Sequence, residues 1–219
     1  QTVRFSHLKN GTMILAVLAS DLQKEEMALS PFFRKHEVLF SENLSLWSNH
    51  IADAFMDLCF ENTPERNEML AKLLPKPVFV HSVTDTLERI HPNLIRMNGW
   101  PGFLKGNCLE ASANEEMKIK AGQLIGEELI FVKDAPGFVS ARILAMIINE
   151  AYFTWEAGTS SKEEIDIAMK LGTGYPYGPF EWGEMIGLIR IVELLKRLSL
   201  KDPVYEVSPS LISVANVEG

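Results

Sequence analysis

An unbroken apolar run, Met13-Ile14-Leu15-Ala16-Val17-Leu18-Ala19, opens the patterned part of the chain. It has the length of a strand buried on both faces, as in a parallel sheet. Residues Leu22 to Arg34 follow at helical spacing, with Asp21 as the expected N-cap and Pro31 expected to break the end. Glu37-Val38-Leu39-Phe40 reads as a second strand and Ala54-Phe55-Met56-Asp57-Leu58-Cys59-Phe60 as a third. Thr63-Pro64-Glu65-Arg66 starts a helix that runs to about Leu74, with proline and a carboxylate where a first turn favours them. Pro77-Val78-Phe79-Val80-His81-Ser82 and Leu94-Ile95-Arg96-Met97-Asn98 read as further strands, as does Leu129-Ile130-Phe131-Val132. Glu115 to Leu124 is helical between them, with Met117, Ile119 and Leu124 on its apolar positions. Residues 1–12 are polar and aperiodic, which predicts a leader or a poorly ordered arm.

Strand and helix alternating with short connections predict a mostly parallel sheet with helices on its faces. From Ala135 onward the pattern is helical: Val139 to Phe153, Ser161 to Leu171, and Phe180 to Leu198. Ser161-Lys162-Glu163-Glu164 offers a hydroxyl cap with a carboxylate three residues on. The expected organisation is an α/β domain over 1–133 and an all-α domain over 134–219.

The chain has 219 residues, 47% of them hydrophobic and 23% charged, so a sizeable core is expected. Its net charge of −8 argues against nucleic acid or an anionic membrane as a partner, since both require clustered Lys and Arg. A local basic patch for a phosphate stays open. The apolar runs are too short to span a bilayer, and Gln1 to Gly11 shows no signal-peptide core, so a cytoplasmic location is expected. Cys59 and Cys108 make neither a disulfide framework nor a zinc site, and the five histidines show no ligand spacing, so no metal is expected.

The chemistry-bearing pattern lies in the helical half. It runs Asp134-Ala135-Pro136-Gly137-Phe138-Val139, Arg142, Asn149-Glu150-Ala151, Glu156-Ala157-Gly158, Ile165-Asp166, then Leu171-Gly172-Thr173-Gly174-Tyr175-Pro176-Tyr177-Gly178-Pro179-Phe180-Glu181. Pro136-Gly137 is a turn dipeptide, and Gly158 falls where a left-handed helix terminus is wanted. This ordered set closely resembles the C-terminal domain of the 3-hydroxyacyl-CoA dehydrogenase family. The resemblance implies a Rossmann-like, NAD-binding N-terminal domain and a C-terminal dimerisation domain, hence a homodimer. It also implies oxidation of the 3-hydroxyl of an acyl-CoA in fatty-acid metabolism.

The resemblance carries site residues with it. The family's catalytic His ends a strand, and a Glu follows twelve residues later. In this chain those positions are Asn98 and Glu110. An amide has no usable basicity, so the general base is replaced and Glu110 is left as a weaker base or a vestige. The family's substrate-contacting Asn corresponds to Ala141, beside Arg142. Its catalytic hydroxyl falls in the stretch of Ser82, Thr84 and Thr86, of which Ser82 and Thr84 are the candidates. Trp100 and Phe103, following Asn98, are candidates for lining an acyl slot. His81, at a strand end, is a candidate displaced base.

The cofactor end departs further. A dinucleotide fold carries G-x-G-x-x-G after its first strand. This chain reads Ser20-Asp21-Leu22-Gln23-Lys24-Glu25-Glu26, without glycine. Ser20 and Glu42 are the candidate cofactor contacts, Glu42 at the ribose-binding acidic position. Two functions follow from the resemblance and its departures. One is an NAD-dependent 3-hydroxyacyl-CoA dehydrogenase. The other is a catalytically degenerate relative that binds an acyl-CoA or nucleotide as a regulatory homodimer.

Overall fold

The computed structural model describes residues 12–49 and 51–218. Apart from Thr12, the arm expected over 1–12 lies outside the described residues. The chain divides into two compact units, the first ending at Asp134 and the second beginning at Ala135.

The first unit is built on a seven-stranded sheet. Its strands are β1 (Ile14–Leu18), β2 (Glu37–Phe40), β3 (Ala54–Asp57), β4 (Val78–His81), β5 (Ile95–Met97), β6 (Leu109–Ser112) and β7 (Leu129–Phe131). They lie in the order β2-β1-β3-β4-β5-β6-β7, all neighbours parallel except β5 and β6. The helices are α1 (Asp21–Leu29), α2 (Pro31–Arg34), α3 (Pro64–Ala71) and α4 (Glu115–Ile125). Successive side chains of a strand point to opposite faces, and the core divides accordingly. Leu15, Val17, Met56, Phe79, Ile95 and Met97 pack on one face with α1, α2 and α4. Ala16, Phe55, Val78 and Val80 pack on the other with Leu70 of α3 and Trp47.

Local chemistry moves several boundaries. The cap of α1 is Ser20, not Asp21: its hydroxyl accepts the Gln23 N–H at 3.3 Å, and the Gln23 amide oxygen receives the Ser20 N–H at 2.9 Å. That reciprocal pair satisfies two end groups at once, which Asp21 one residue later does not. The expected helix from Leu22 to Arg34 is two helices. Ser30 is extended, and Pro31 starts α2 at the position where its missing N–H costs nothing. Strand β6, flanked by β5 and β7, joins the sheet without a strand pattern of its own.

The second unit is helical: α5 (Ser140–Glu156), α6 (Lys162–Thr173), α7 (Pro179–Ile186), α8 (Leu188–Ser199) and α9 (Pro209–Glu218). The expected helix Phe180 to Leu198 is broken at Gly187, whose φ of 94° is left-handed. Gly158, just past α5, has φ 70°, the left-handed conformation anticipated for it. Among the described residues no helix is long and apolar enough to cross a membrane. Cys59 and Cys108 are both free thiols.

Candidate functional site

The spacing of twelve between Asn98 and Glu110 is hairpin geometry. Strand β6 runs antiparallel to β5 with Arg96 opposite Ser112 and Met97 opposite Ala111. The next pair in that register is Asn98 and Glu110, and the Asn98 N–H donates to the Glu110 carbonyl at 3.0 Å. Residues directly opposite each other present side chains on the same face. The structure therefore brings these two candidates together at the edge where β5 ends. Asn98 is 2% exposed, and its Oδ1 accepts the Trp100 N–H at 3.1 Å. The amide thus also orders the loop that follows it. Trp100 is buried, and Phe103 is half-buried, with its N–H donating to the Trp100 carbonyl.

The loop bearing Ser82 and Thr84 is held to this edge by a buried cation. Arg96 is fully buried, and its guanidinium donates to the Ser82 carbonyl at 3.1 and 3.0 Å and to the Val83 carbonyl at 3.2 Å. It also pairs with Asp134, whose second oxygen accepts the Leu87 N–H at 2.9 Å. Burial, the largest influence, pushes the Arg96 guanidinium below its ordinary value, against the opposing pull of Asp134. Arg96 and Asp134 are positioning residues that sequence reasoning did not single out for this role. The only sequence signal was an arginine inside an otherwise apolar strand, a residue type almost never buried unless paired. Ser82 follows β4 on the same side of the alternation as Val80, and its hydroxyl donates to the Asp85 carbonyl at 3.4 Å. Thr84, farther along the same loop, is half-buried.

His81 falls elsewhere. It alternates with Val80 and so shares the face of Phe79, opposite to that of Asn98 and Glu110. Its Nδ1 accepts the Gly99 N–H at 2.9 Å, which leaves the proton of the neutral ring on Nε2. A Cβ at Gly99 would lie 3.1 Å from the ring, so glycine permits this approach. The geometry does not deliver His81 as a displaced base beside Asn98. Ala141 is fully buried in α5, and its methyl has no hydrogen bond to offer.

The edge at the end of β1 is the sheet's switch point, since β2 lies to one side of β1 and β3 to the other. Open α/β sheets bind ligands in that crevice. Gln23 fills it here. Its Nε2 donates to the Leu58 carbonyl at 3.1 Å and the Gly99 carbonyl at 3.3 Å, while its Oε1 serves Ser20. Ser20 therefore acts as a helix cap, not a phosphate contact, and the Gln23 N–H that would face a phosphate is taken by its hydroxyl. Asp21 stands exposed in the first turn, where its charge opposes an anion. Glu42 is exposed past the end of β2. As built, this edge does not fit the pyrophosphate of a dinucleotide.

The motif residues of the helical unit form a hydrogen-bonded scaffold. The buried Asp166 carboxylate accepts the N–H groups of Phe180 at 2.8 Å and Glu181 at 3.1 Å, capping α7. Gly178 is required there, since a Cβ would lie 2.3 Å from that carboxyl. Glu181 accepts the Gly178 N–H at 2.8 Å and pairs with Lys170. Asn149 bridges to the Glu206 carbonyl at 2.8 Å and the Ser208 N–H at 2.9 Å, tying α5 to the segment before α9. Gly137 and Phe138 both have positive φ, and a Cβ on Gly137 would press on Arg142 and Leu194.

Comparison with known proteins separates the two units. Residues 137–216 match the family described as 3-hydroxyacyl-CoA dehydrogenase, C-terminal domain. Human mitochondrial hydroxyacyl-coenzyme A dehydrogenase is 39% identical over 99 residues, 44% of this chain and 32% of that protein. The 3-hydroxyadipyl-CoA dehydrogenase of Escherichia coli K12 is 45% identical over 73 residues, 33% of this chain and 15% of the relative. The match thus spans a third or less of these relatives' length. Among solved structures, FadB2 of M. tuberculosis aligns with TM-score 0.68 at 14% identity, covering 93% of each chain. The (S)-3-hydroxybutyryl-CoA dehydrogenase PaaH1 of Ralstonia eutropha aligns with TM-score 0.66 at 18% identity over 94% of each chain. The fold is the Rossmann-type one that these structures share: a mostly parallel sheet with helices, followed by a helical region. The resemblance to the 3-hydroxyacyl-CoA dehydrogenase family holds over residues 137–216, which match that family's C-terminal domain.

Proposed function

We propose that this chain is a 3-hydroxyacyl-CoA dehydrogenase-like oxidoreductase that acts on the 3-hydroxyl of an acyl-CoA in fatty-acid metabolism. The observation that carries this reading is the family match over 137–216. The pairing of Asn98 with Glu110 at the edge of β5 supports it. NAD is the cofactor that the resemblance implies, and a bound dinucleotide would supply the hydride acceptor. The Gln23-filled edge opposes that cofactor. The chain's own residues would act at the acyl end. Asn98 offers a hydrogen bond to a 3-oxygen, Glu110 is the nearby carboxylate for its proton, and the Arg96–Asp134 pair positions the Ser82 loop. A homodimer through the helical unit is part of the proposal. The exposed apolar side chains Ile143, Ile167 and Leu171 suit such a surface. A cytoplasmic location is proposed with it.

A second reading is favoured by Asn98 and Gln23 together: a catalytically degenerate relative that binds an acyl-CoA or nucleotide as a regulatory homodimer. One titration separates the two. Purified protein is mixed with NADH and acetoacetyl-CoA while fluorescence and absorbance are followed. Saturable NADH binding with turnover supports the dehydrogenase and excludes the degenerate reading. Acyl-CoA binding without NADH binding supports the degenerate one. If only the base is missing, Asn98→His raises turnover by about 10²–10⁴-fold. No gain means that the β1 edge is also at fault.

A further inference from the structure

Strand β2 ends one side of the sheet, with β1 as its one neighbour among the described residues. In the classic dinucleotide-binding order a further strand lies outside the second. This sheet leaves that place open. The Glu37 N–H donates to the Met13 carbonyl at 2.9 Å and the Ser41 N–H to the Val17 carbonyl at 2.8 Å. Backbone groups alternate in direction along a strand, so those of Val38 and Phe40 point away from β1, as at any sheet edge. Phe40 is 46% exposed, and Val38 and Leu39 are half-buried. None of the residues Glu37, Val38, Leu39 and Phe40 is Pro or Lys, which commonly blunt an open edge.

The edge is complementary to itself in one antiparallel register. Its outward groups pair Val38 with the partner's Phe40, and Phe40 with the partner's Val38, each pair exchanging both backbone bonds. Leu39 then faces the partner's Leu39 across the two-fold axis. A β-branched side chain opposite an aromatic one is a favourable cross-strand pair. One step further out, Glu37 meets the partner's Ser41. Beyond that, His36 meets the partner's Glu42, an imidazole against a carboxylate. No like charges stand opposite each other, although each copy carries a net charge of −8.

We propose that β2 pairs with the β2 of a second copy of this chain, antiparallel about a two-fold axis at Leu39, so that the two sheets continue as one. A contact of this symmetry uses the same surface twice and closes at two copies. One four-residue strand from each copy makes a small interface, so pairing is reversible and grows with concentration. The contact lies within the first unit and is separate from the helical surface proposed above. It does not depend on whether the chain turns over an acyl-CoA.

The test begins with amide hydrogen exchange on the unmodified chain. Over about a hundredfold rise in concentration, exchange at Val38 and Phe40 should slow by about tenfold, since the unpaired fraction falls as the square root of concentration once pairing dominates. A dimer made through the helical unit alone leaves these two amides unchanged. Crosslinking then reads the register. Cys59→Ser and Cys108→Ser remove the two free thiols, and Leu39→Cys or Phe40→Cys is added and oxidised with glutathione disulfide. Residue 39 faces its own copy at about 4.5 Å between Cα atoms, within disulfide reach. Residue 40 lies diagonally from its own copy at about 7–8 Å, beyond that reach. Leu39→Cys should therefore give a linked dimer, and the more exposed Phe40→Cys should not. The proposal is overturned if the two variants link equally or if neither links. It is also overturned if Val38 and Phe40 exchange at one rate at every concentration. A fast rate would mean a bare edge, and a slow one that another part of the same chain covers it.

Discussion

The two units of this chain are recognisable in different ways, and the difference is physical. The helical unit is identified residue by residue. The sheet unit is identified by the course of its backbone. In the helical unit the motif residues are locked to one another by exclusions: Gly178 because a Cβ would enter the Asp166 carboxyl, Gly187 by left-handed backbone, Asn149 by two backbone bonds. Few substitutions satisfy such constraints. In the sheet unit most positions ask only for an apolar side chain of about the right size on the right face, which many sequences supply. The exceptions there are its buried polar residues, and one of these leads the tests of the comparison.

The largest effect is expected from Arg96→Leu in the sheet unit. It strands the Ser82 and Val83 carbonyls and leaves Asp134 without its cation, a loss of about 3–5 kcal/mol in urea unfolding. An unchanged midpoint would mean that the sheet unit has no residue-specific anchor. Next is Gly178→Ala in the helical unit, which must displace the Asp166 carboxylate from two N–H groups. It should cost about 2–4 kcal/mol, with loss of amide protection concentrated in α7. Asn149→Leu leaves the Ser208 N–H and Glu206 carbonyl unpaired and should cost about 2 kcal/mol by the same measurement.

Acid offers a milder contrast. The Ser160 hydroxyl holds the Glu164 carboxyl below its ordinary value, and Lys170 does the same for Glu181. Their support is present above the ordinary glutamate value and is lost as pH falls through the lowered ones. Asp57 has the opposite sign. Burial pushes its carboxyl up in spite of Arg66, so its contribution is full in acid and declines as pH rises through the raised value. Hydrogen exchange on lowering the pH from 7 to about 4 should therefore loosen the starts of α6 and α7 more than the end of β3. Equal loosening would erase the distinction. The smallest effect is a gain. Gly172 lies inside α6 with open space around its Cβ position, so Gly172→Ala should stabilise the chain by about 0.5–1 kcal/mol. A loss there would show that more of the motif is constrained than the packing indicates.

Legibility in the sequence followed the same line. Strands β1, β2, β4 and β5 could be read because each is a compact apolar run, and α6 because Ser161 and Glu164 make a self-contained cap. Strand β6 could not. Leu109-Glu110-Ala111-Ser112 is half polar, and it becomes a strand because β5 and β7 pair with it on both sides. Helix α9 carries little apolar periodicity and rests on bonds from Ser208 and Ser210. At the candidate site, the Asn98–Glu110 pairing was legible as a spacing through the family resemblance. The Gln23 contacts were not, because they join residues 35 and 76 positions apart. Burial of Ala141 on a helix face likewise needs the fold.

The return of β6 against β5 has a consequence for variation. The pairing of Asn98 with Glu110 is counted inward from the two strands, with Gly99 and Trp100 bound to His81 and Asn98 beside it, so the exposed Asn107 and Cys108 have no part in setting it. Substitutions or insertions at those two positions can reshape whatever approaches the sheet edge without altering how far apart the two polar groups stand. The hairpin behaves as a jaw with a fixed bite and an exchangeable tip. Diversity in this part of the chain can therefore accumulate at the tip, two residues away from positions that cannot drift independently of each other.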